Sequence, residues 1–146
     1  MARRREEIDR LEELEELFAD LWQVPRFAAG WRHEHRPALD VFRTTDPAEL
    51  TIVVEIAGAD PSSIQLLLDG RRLLIAGERP RARVRGQFDR SEIEYGRFRR
   101  ELALNEDVDV ESARANYERG LLRIVLPITQ RARTPRSVMI EIRRSR

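Results

Sequence analysis

Apolar residues in the first part of the chain recur every three or four positions: Ile8, Leu11, Leu14, Leu17, Phe18, Leu21 and Trp22. That spacing predicts a helix with one apolar stripe. Glu6, Glu7, Glu12, Glu13, Glu15 and Glu16 cover its other side, and Pro25 ends the pattern. Phe27, Ala28, Ala29, Gly30 and Trp31 follow as an apolar patch without a period. The stripe either packs on the chain's own domain or belongs to an adhesive arm with no core of its own to cover. Its position before a linker that contains Gly30, His33 and His35 favours the arm.

From residue 37 the pattern changes to short apolar bursts closed by turn signals. Ala38 to Phe42 predicts a first strand, stopped near Asp46-Pro47, and Leu50 to Ile56 a second, ended by Ala57-Gly58 and Asp60-Pro61. Ile64 to Leu68 and Leu73 to Ile75 predict a hairpin around Asp69-Gly70, two residues that tolerate the positive φ of a tight turn. Residues 80–91 are polar and arginine-rich, with Val84 and Phe88 as isolated apolar points. Glu92 to Leu104 predicts a long strand, with Gly96 as a bulge or close-approach point. Ser112 to Tyr117 and Leu121 to Leu126 predict a last hairpin around Glu118-Arg119-Gly120, and Pro127 closes the segment. Short strands with turns every 8–12 residues imply an all-β sandwich. Three parts result: an N-terminal arm over 1–36, a β-sandwich domain over 37–127 and a tail over 128–146.

The tail carries six arginines against one acid, Glu141. Near its end stands Val138-Met139-Ile140-Glu141-Ile142, and in an extended chain Ile140 and Ile142 project from one face. Pro135 and the preceding charges argue against a place in the domain's own core. Two exposed isoleucines on a flexible arm suggest two knobs waiting for two holes. The alternative is a final edge strand of the same domain.

Composition narrows the chemistry. Charged residues make up 36% and apolar residues 41%, too apolar for a wholly disordered chain. With 27 basic and 26 acidic residues the net charge is +1, which provides no field for bulk binding to nucleic acid or anionic membrane. The absence of cysteine excludes disulfides, thiol catalysis and zinc–thiolate sites. All the basic residues other than histidine are arginine, so P-loop and Schiff-base chemistry, which need lysine, are excluded too. Arginine in place of lysine reflects a GC-rich genome or selection for its planar pairing. The start, Met1-Ala2-Arg3-Arg4-Arg5-Glu6-Glu7, lacks a signal peptide's apolar stretch, and no run approaches the roughly 18 apolar residues of a membrane span. The expectation is a cytoplasmic protein without metal or cofactor. His33-Glu34-His35 offers two imidazoles and no third ligand, so it reads as a solvated linker. His33, His35, Asp40 and Ser62-Ser63 make no nucleophile–base–orienter set, and no catalytic residue is expected.

Several of these segments together resemble the small heat-shock protein (alpha-crystallin) family. Ile75-Ala76-Gly77-Glu78-Arg79 is similar to its Ile-x-Gly-Glu-Arg strand ending, and Tyr95 to Arg100 to its Gly-x-Phe-x-Arg strand. Ala115 to Leu122 resembles its Ala-x-x-x-x-Gly-Leu-Leu signature, followed by Leu126-Pro127, and Ile140-Glu141-Ile142 its C-terminal Ile-x-Ile. Ala57-Gly58 stands where many members have Pro-Gly, and Asn105 where many have proline. The resemblance implies an immunoglobulin-like alpha-crystallin sandwich with a helical arm and a flexible tail. It implies an ATP-independent holdase chaperone for unfolding client proteins, active under heat or other stress.

The implied sites follow. Leu11, Leu14, Phe18, Leu21, Trp22, Phe27 and Trp31, the apolar mass outside the domain, would bind clients. A strand-exchanged dimer would pair residues near Val84 and Phe88 with the partner's Leu39 to Phe42, Val41 included, and Arg100 would pair across that interface. Ile140 and Ile142 would link dimers into a larger homo-oligomer by entering a neighbour's groove between Ile64, Leu66 and Leu68 and the strand from Ala113 to Tyr117. The competing reading is a non-oligomeric β-sandwich adaptor or co-chaperone domain that binds one specific partner. Such an adaptor has no need of the 80–91 loop or the Ile-x-Ile tail.

Overall fold

The computed structural model describes residues 35–130 and 137–144. Within them run nine strands: β1 (Leu39–Thr45), β2 (Ala48–Glu55), β3 (Gln65–Asp69), β4 (Arg72–Arg79), β5 (Gly96–Ala103), β6 (Arg114–Glu118), β7 (Leu121–Pro127), β8 (Ser137–Met139) and β9 (Ile142–Arg144). They make two sheets, β1-β2-β7-β6-β9 and β5-β4-β3-β8. Every pairing is antiparallel except that of β6 with β9.

Alternation along the strands explains why the sheets stack. Ile52 and Val54 of β2 and Leu122, Ile124 and Leu126 of β7 face inward from one sheet. Leu66, Leu68, Leu73, Ile75 and Phe98 meet them from the other, and all ten side chains are fully buried. Burial of each contributes roughly 1.5–3 kcal/mol, and this shared core makes the β-sandwich.

Two glycines of the sequence motifs have steric reasons. Gly77 of β4 lies opposite Phe98 of β5, and a Cβ at 77 would stand 2.3 Å from the ring's Cζ. The Phe98 ring fills the space that the missing side chain leaves. Arg119 and Gly120 form the two-residue turn between β6 and β7 with φ of +53° and +79°. Positive φ at both positions suits a turn whose twist matches the flanking strands. A Cβ on Gly120 would also approach Ala57 to 3.0 Å.

Side-chain caps hold the other turns. The Asp60 carboxylate accepts from the Ser62 N–H at 2.9 Å and the Ser62 hydroxyl at 2.7 Å. Those bonds hold its carboxyl below the usual carboxylate range. The Ser63 hydroxyl donates to the Asp60 carbonyl at 2.7 Å and accepts from the Glu78 N–H at 2.9 Å. Both serines are thereby committed to a turn that is tied to the end of β4.

Three boundaries differ from the sequence expectation. The long strand from Glu92 begins only at Gly96, whose φ of +102° interrupts the extended run. The Glu94 carbonyl accepts from Arg79 Nε at 2.8 Å and Nη2 at 2.6 Å instead of joining a ladder. The fourth strand is longer than Leu73 to Ile75 because β4 pairs with β5 along its full length. The turn between β3 and β4 is Gly70-Arg71, one residue later than Asp69-Gly70, since Asp69 still pairs with Arg72.

Candidate functional site

The tail completes both sheets. β8 pairs with β3, setting Met139 opposite Leu67 and Val138 opposite Leu68. β9 runs parallel to β6, with Ile142 opposite Ala115. Between the two short strands the Ile140 N–H donates to the Leu66 carbonyl at 3.0 Å. The Ile140 side chain is 7% exposed and joins the core cluster that contains Ile64, Leu66, Leu68 and Ala115, with Ala113, Tyr117 and Ile142 packed against it. The Ile-x-Ile segment therefore crosses from the edge of one sheet to the edge of the other. It supplies hydrogen-bond partners to both edges, which otherwise stand open.

In this structure the chain's own tail fills the groove, the arrangement that the sequence left as its alternative. Arg131, Arg133, Pro135 and Arg136, which argued against a core position, all precede the docked segment. Their charges need not be buried for Ile140 to be. Tyr117 closes the far end of the site: its hydroxyl donates to the Ile56 carbonyl at 2.8 Å, and burial raises its pKa.

The residues expected at a dimer interface lie away from this groove. Among the described residues β1 is an edge strand, paired only with β2. Val41 and Phe42 are adjacent and therefore point to opposite faces, yet both are exposed, whereas Leu39 packs against the core. Val84 and Phe88 are exposed in the loop between β4 and β5, as is Ile93. The Arg81 guanidinium stacks over Phe88 at 4.5 Å and Tyr95 at 5.3 Å. Among the described residues no strand pairing joins this loop to β1.

Arg100 shares the inward face of β5 with Phe98, as alternation requires. Its Nη1 donates to the Pro37 carbonyl at 2.7 Å. Burial lowers its pKa, and the nearby Arg36 charge adds to the effect. Among the described residues it has no carboxylate partner, so within one chain the guanidinium holds the backbone ahead of β1. Arg99 lies on the opposite face, 3.9 Å from Glu101.

One cluster escaped the sequence reading. His35 is not a solvated linker residue: its side chain is 13% exposed. Its N–H donates to the Arg97 carbonyl at 2.9 Å, and its carbonyl accepts from the Arg99 N–H at 3.2 Å. The ring's Nε2 lies 3.1 Å from Arg79 Nη2. A guanidinium only donates, so Nε2 accepts, and Nδ1–H donates to the Glu94 carboxylate. The signal available in advance was Arg79 itself, the last residue of the Gly-Glu-Arg motif. Among the described residues no group of three or more His, Asp or Glu side chains is placed to hold a metal ion. The expected client-binding residues Leu11, Leu14, Phe18, Leu21, Trp22, Phe27 and Trp31 lie outside the described residues, as does His33.

Comparison with known proteins agrees with this geometry. A family model described as Hsp20/alpha crystallin family matches residues 43–142. Heat shock protein 16 of Schizosaccharomyces pombe is 28% identical over 131 residues, covering 86% of this chain and 90% of that protein. The 18 kDa heat shock protein of Streptomyces albus is 28% identical over 73% of this chain and 74% of its own length. Among solved structures, heat shock protein 16.0 of Schizosaccharomyces pombe superposes with a TM-score of 0.61 at 26% identity, covering 74% of this chain and all of that one. A small heat-shock protein from Xylella fastidiosa gives 0.58 at 29% identity, over 75% of this chain and 99% of that one.

Proposed function

This chain belongs to the Hsp20/alpha-crystallin family, and on that premise we propose that it is an ATP-independent holdase, binding partly unfolded proteins and preventing their aggregation. The observation that carries the reading is the sheet-edge groove with an Ile-x-Ile segment laid into it. A site that takes an extended segment by adding it as a strand suits assembly that forms and dissolves without a fuel molecule. Apolar burial contributes roughly 25 cal/mol per Å², so capture of an unfolding chain needs no nucleotide, metal or cofactor. The Ser62 and Ser63 hydroxyls are engaged in the turn after Asp60.

Self-association has two contacts in this proposal. The free edge of β1, with Val41 and Phe42 exposed, takes the partner's 84–88 segment, and the exchange is reciprocal about a two-fold axis. Arg100, with donors beyond the one given to Pro37, pairs across the same contact. Tails that leave their own groove enter that of a neighbouring dimer and build a larger homo-oligomer. Among the described residues no helix is long and apolar enough to cross a membrane, and a cytoplasmic site of action is part of the proposal.

The test is suppression of heat-induced light scattering from an aggregating client. The full chain is expected to suppress it, and a chain lacking residues 1–34 to remain folded but protect weakly. Equal protection by the shortened chain would move client binding into the sandwich. No protection by the full chain would overturn the holdase reading. One observation favours the second reading, a non-oligomeric adaptor: the tail in its own groove satisfies both edges within one chain. A monomeric native mass at working concentration would select it.

A further inference from the structure

We propose that Met139 is an oxidation site, and that its conversion to the sulfoxide by a hydroperoxide loosens the tail from the groove. The chain has no cysteine and two methionines, Met1 and Met139. Met139 is therefore its one internal sulfur atom. The structure places that atom in β8, immediately before the Ile140 that occupies the groove. Its side chain is 47% exposed, open to a small oxidant although it lies within the docked segment.

Its cross-strand neighbour is apolar. Cross-strand partners project from one face of a sheet, so the Met139 side chain stands beside Leu67, itself only 3% exposed. Leu67 offers no side-chain donor. In the reaction one peroxide oxygen passes to sulfur as the O–O bond breaks, and the other leaves as water or an alcohol. Sulfur loses two electrons, the peroxide gains them, and a thiol-dependent reductase reverses the change. The sulfoxide oxygen is a strong acceptor that weakens the apolar contact with Leu67, and the strand turns toward water to hydrate it fully. That rotation strains the adjacent bond from the Ile140 N–H to the Leu66 carbonyl. The isoleucines still favour docking, so the outcome is a shift in tail occupancy rather than complete release. In an assembly held by many tails, a small shift at each is multiplied through the loss of effective concentration.

The experiment compares the full chain before and after mild hydrogen peroxide, with peptide mass spectrometry to measure oxidation at 139. Amide hydrogen exchange over residues 137–144 is the readout. Oxidised protein is expected to exchange there roughly 5-fold faster or more, the low end of what an unpaired polar group costs at a half-buried site. Met139→Leu should keep slow exchange after the same treatment, and Met139→Gln should exchange fast without it. Unchanged exchange at full conversion would overturn the proposal. So would an equal rise in Met139→Leu, or failure of Met139 to oxidise in the folded chain. None of these measurements involves a client, so they stand or fall separately from the holdase reading.

Discussion

Gly77 illustrates how one residue sets local packing. Its missing side chain is the space that the fully buried Phe98 ring occupies, with only 2.3 Å between the ring and where a Cβ would stand. The ring belongs to the core shared by both sheets, so it has no free direction in which to move. Gly77→Ala is expected to cost about 1–3 kcal/mol by overpacking. Urea denaturation would measure it as a lower midpoint with an unchanged slope. Combination with Phe98→Leu should recover part of the loss. If Gly77→Ala matches the parent in midpoint, the close approach has no energetic role.

Elements carry a different kind of information. The loop between β4 and β5 is held at its roots, where Arg79 bonds the Glu94 carbonyl and the His35 ring. Its middle presents Val84 and Phe88 to solvent. A connection of this length with no strand of its own is longer than a hairpin needs, while among the described residues β1 lies unpaired along one side. Deletion of residues 82–90 keeps the roots and removes the middle. Sedimentation velocity should then give monomers with unchanged β-sheet circular dichroism. A dimer that survives the deletion would place the association surface elsewhere.

At the scale of the whole molecule, the two sheets leave groove edges at β3 and β6, and the tail covers them. Burial of an isoleucine contributes roughly 1.5–3 kcal/mol, but each ordered tail residue costs on the order of 1–2 kcal/mol of conformational entropy. One tail is thus bound weakly, whichever chain it comes from. In the proposed assembly many tails would hold together through effective concentration, and heating would loosen them locally. Ile140→Ala with Ile142→Ala should reduce the native mass to dimers and leave the sandwich folded. A large assembly that persists after both substitutions would assign its cohesion to the N-terminal arms.

The sandwich was legible in the sequence because strand formation is local. Alternation in Leu50 to Val54 and Leu122 to Leu126 defines which side chains point inward, and the Glu118-Arg119-Gly120 turn limits where the hairpin reverses. Motif residues such as Gly77 and Phe98 were visible by type, but their contact was not, since it depends on register across two strands. Arg100 could be placed on a face by counting, whereas its acceptor, the Pro37 carbonyl, lies 63 residues away. His35 looked like linker because both neighbours of its ring, Arg79 and Glu94, are distant in sequence. The Ile-x-Ile pattern identified a segment able to dock and not the groove that would receive it. Strands, turns and inward faces could thus be read from the chain alone, since they follow from backbone geometry and side-chain spacing over a few residues. Which edges, rings and carbonyls meet is a matter of the folded state, because those contacts form when strands far apart in the chain are brought together by burial of a common core.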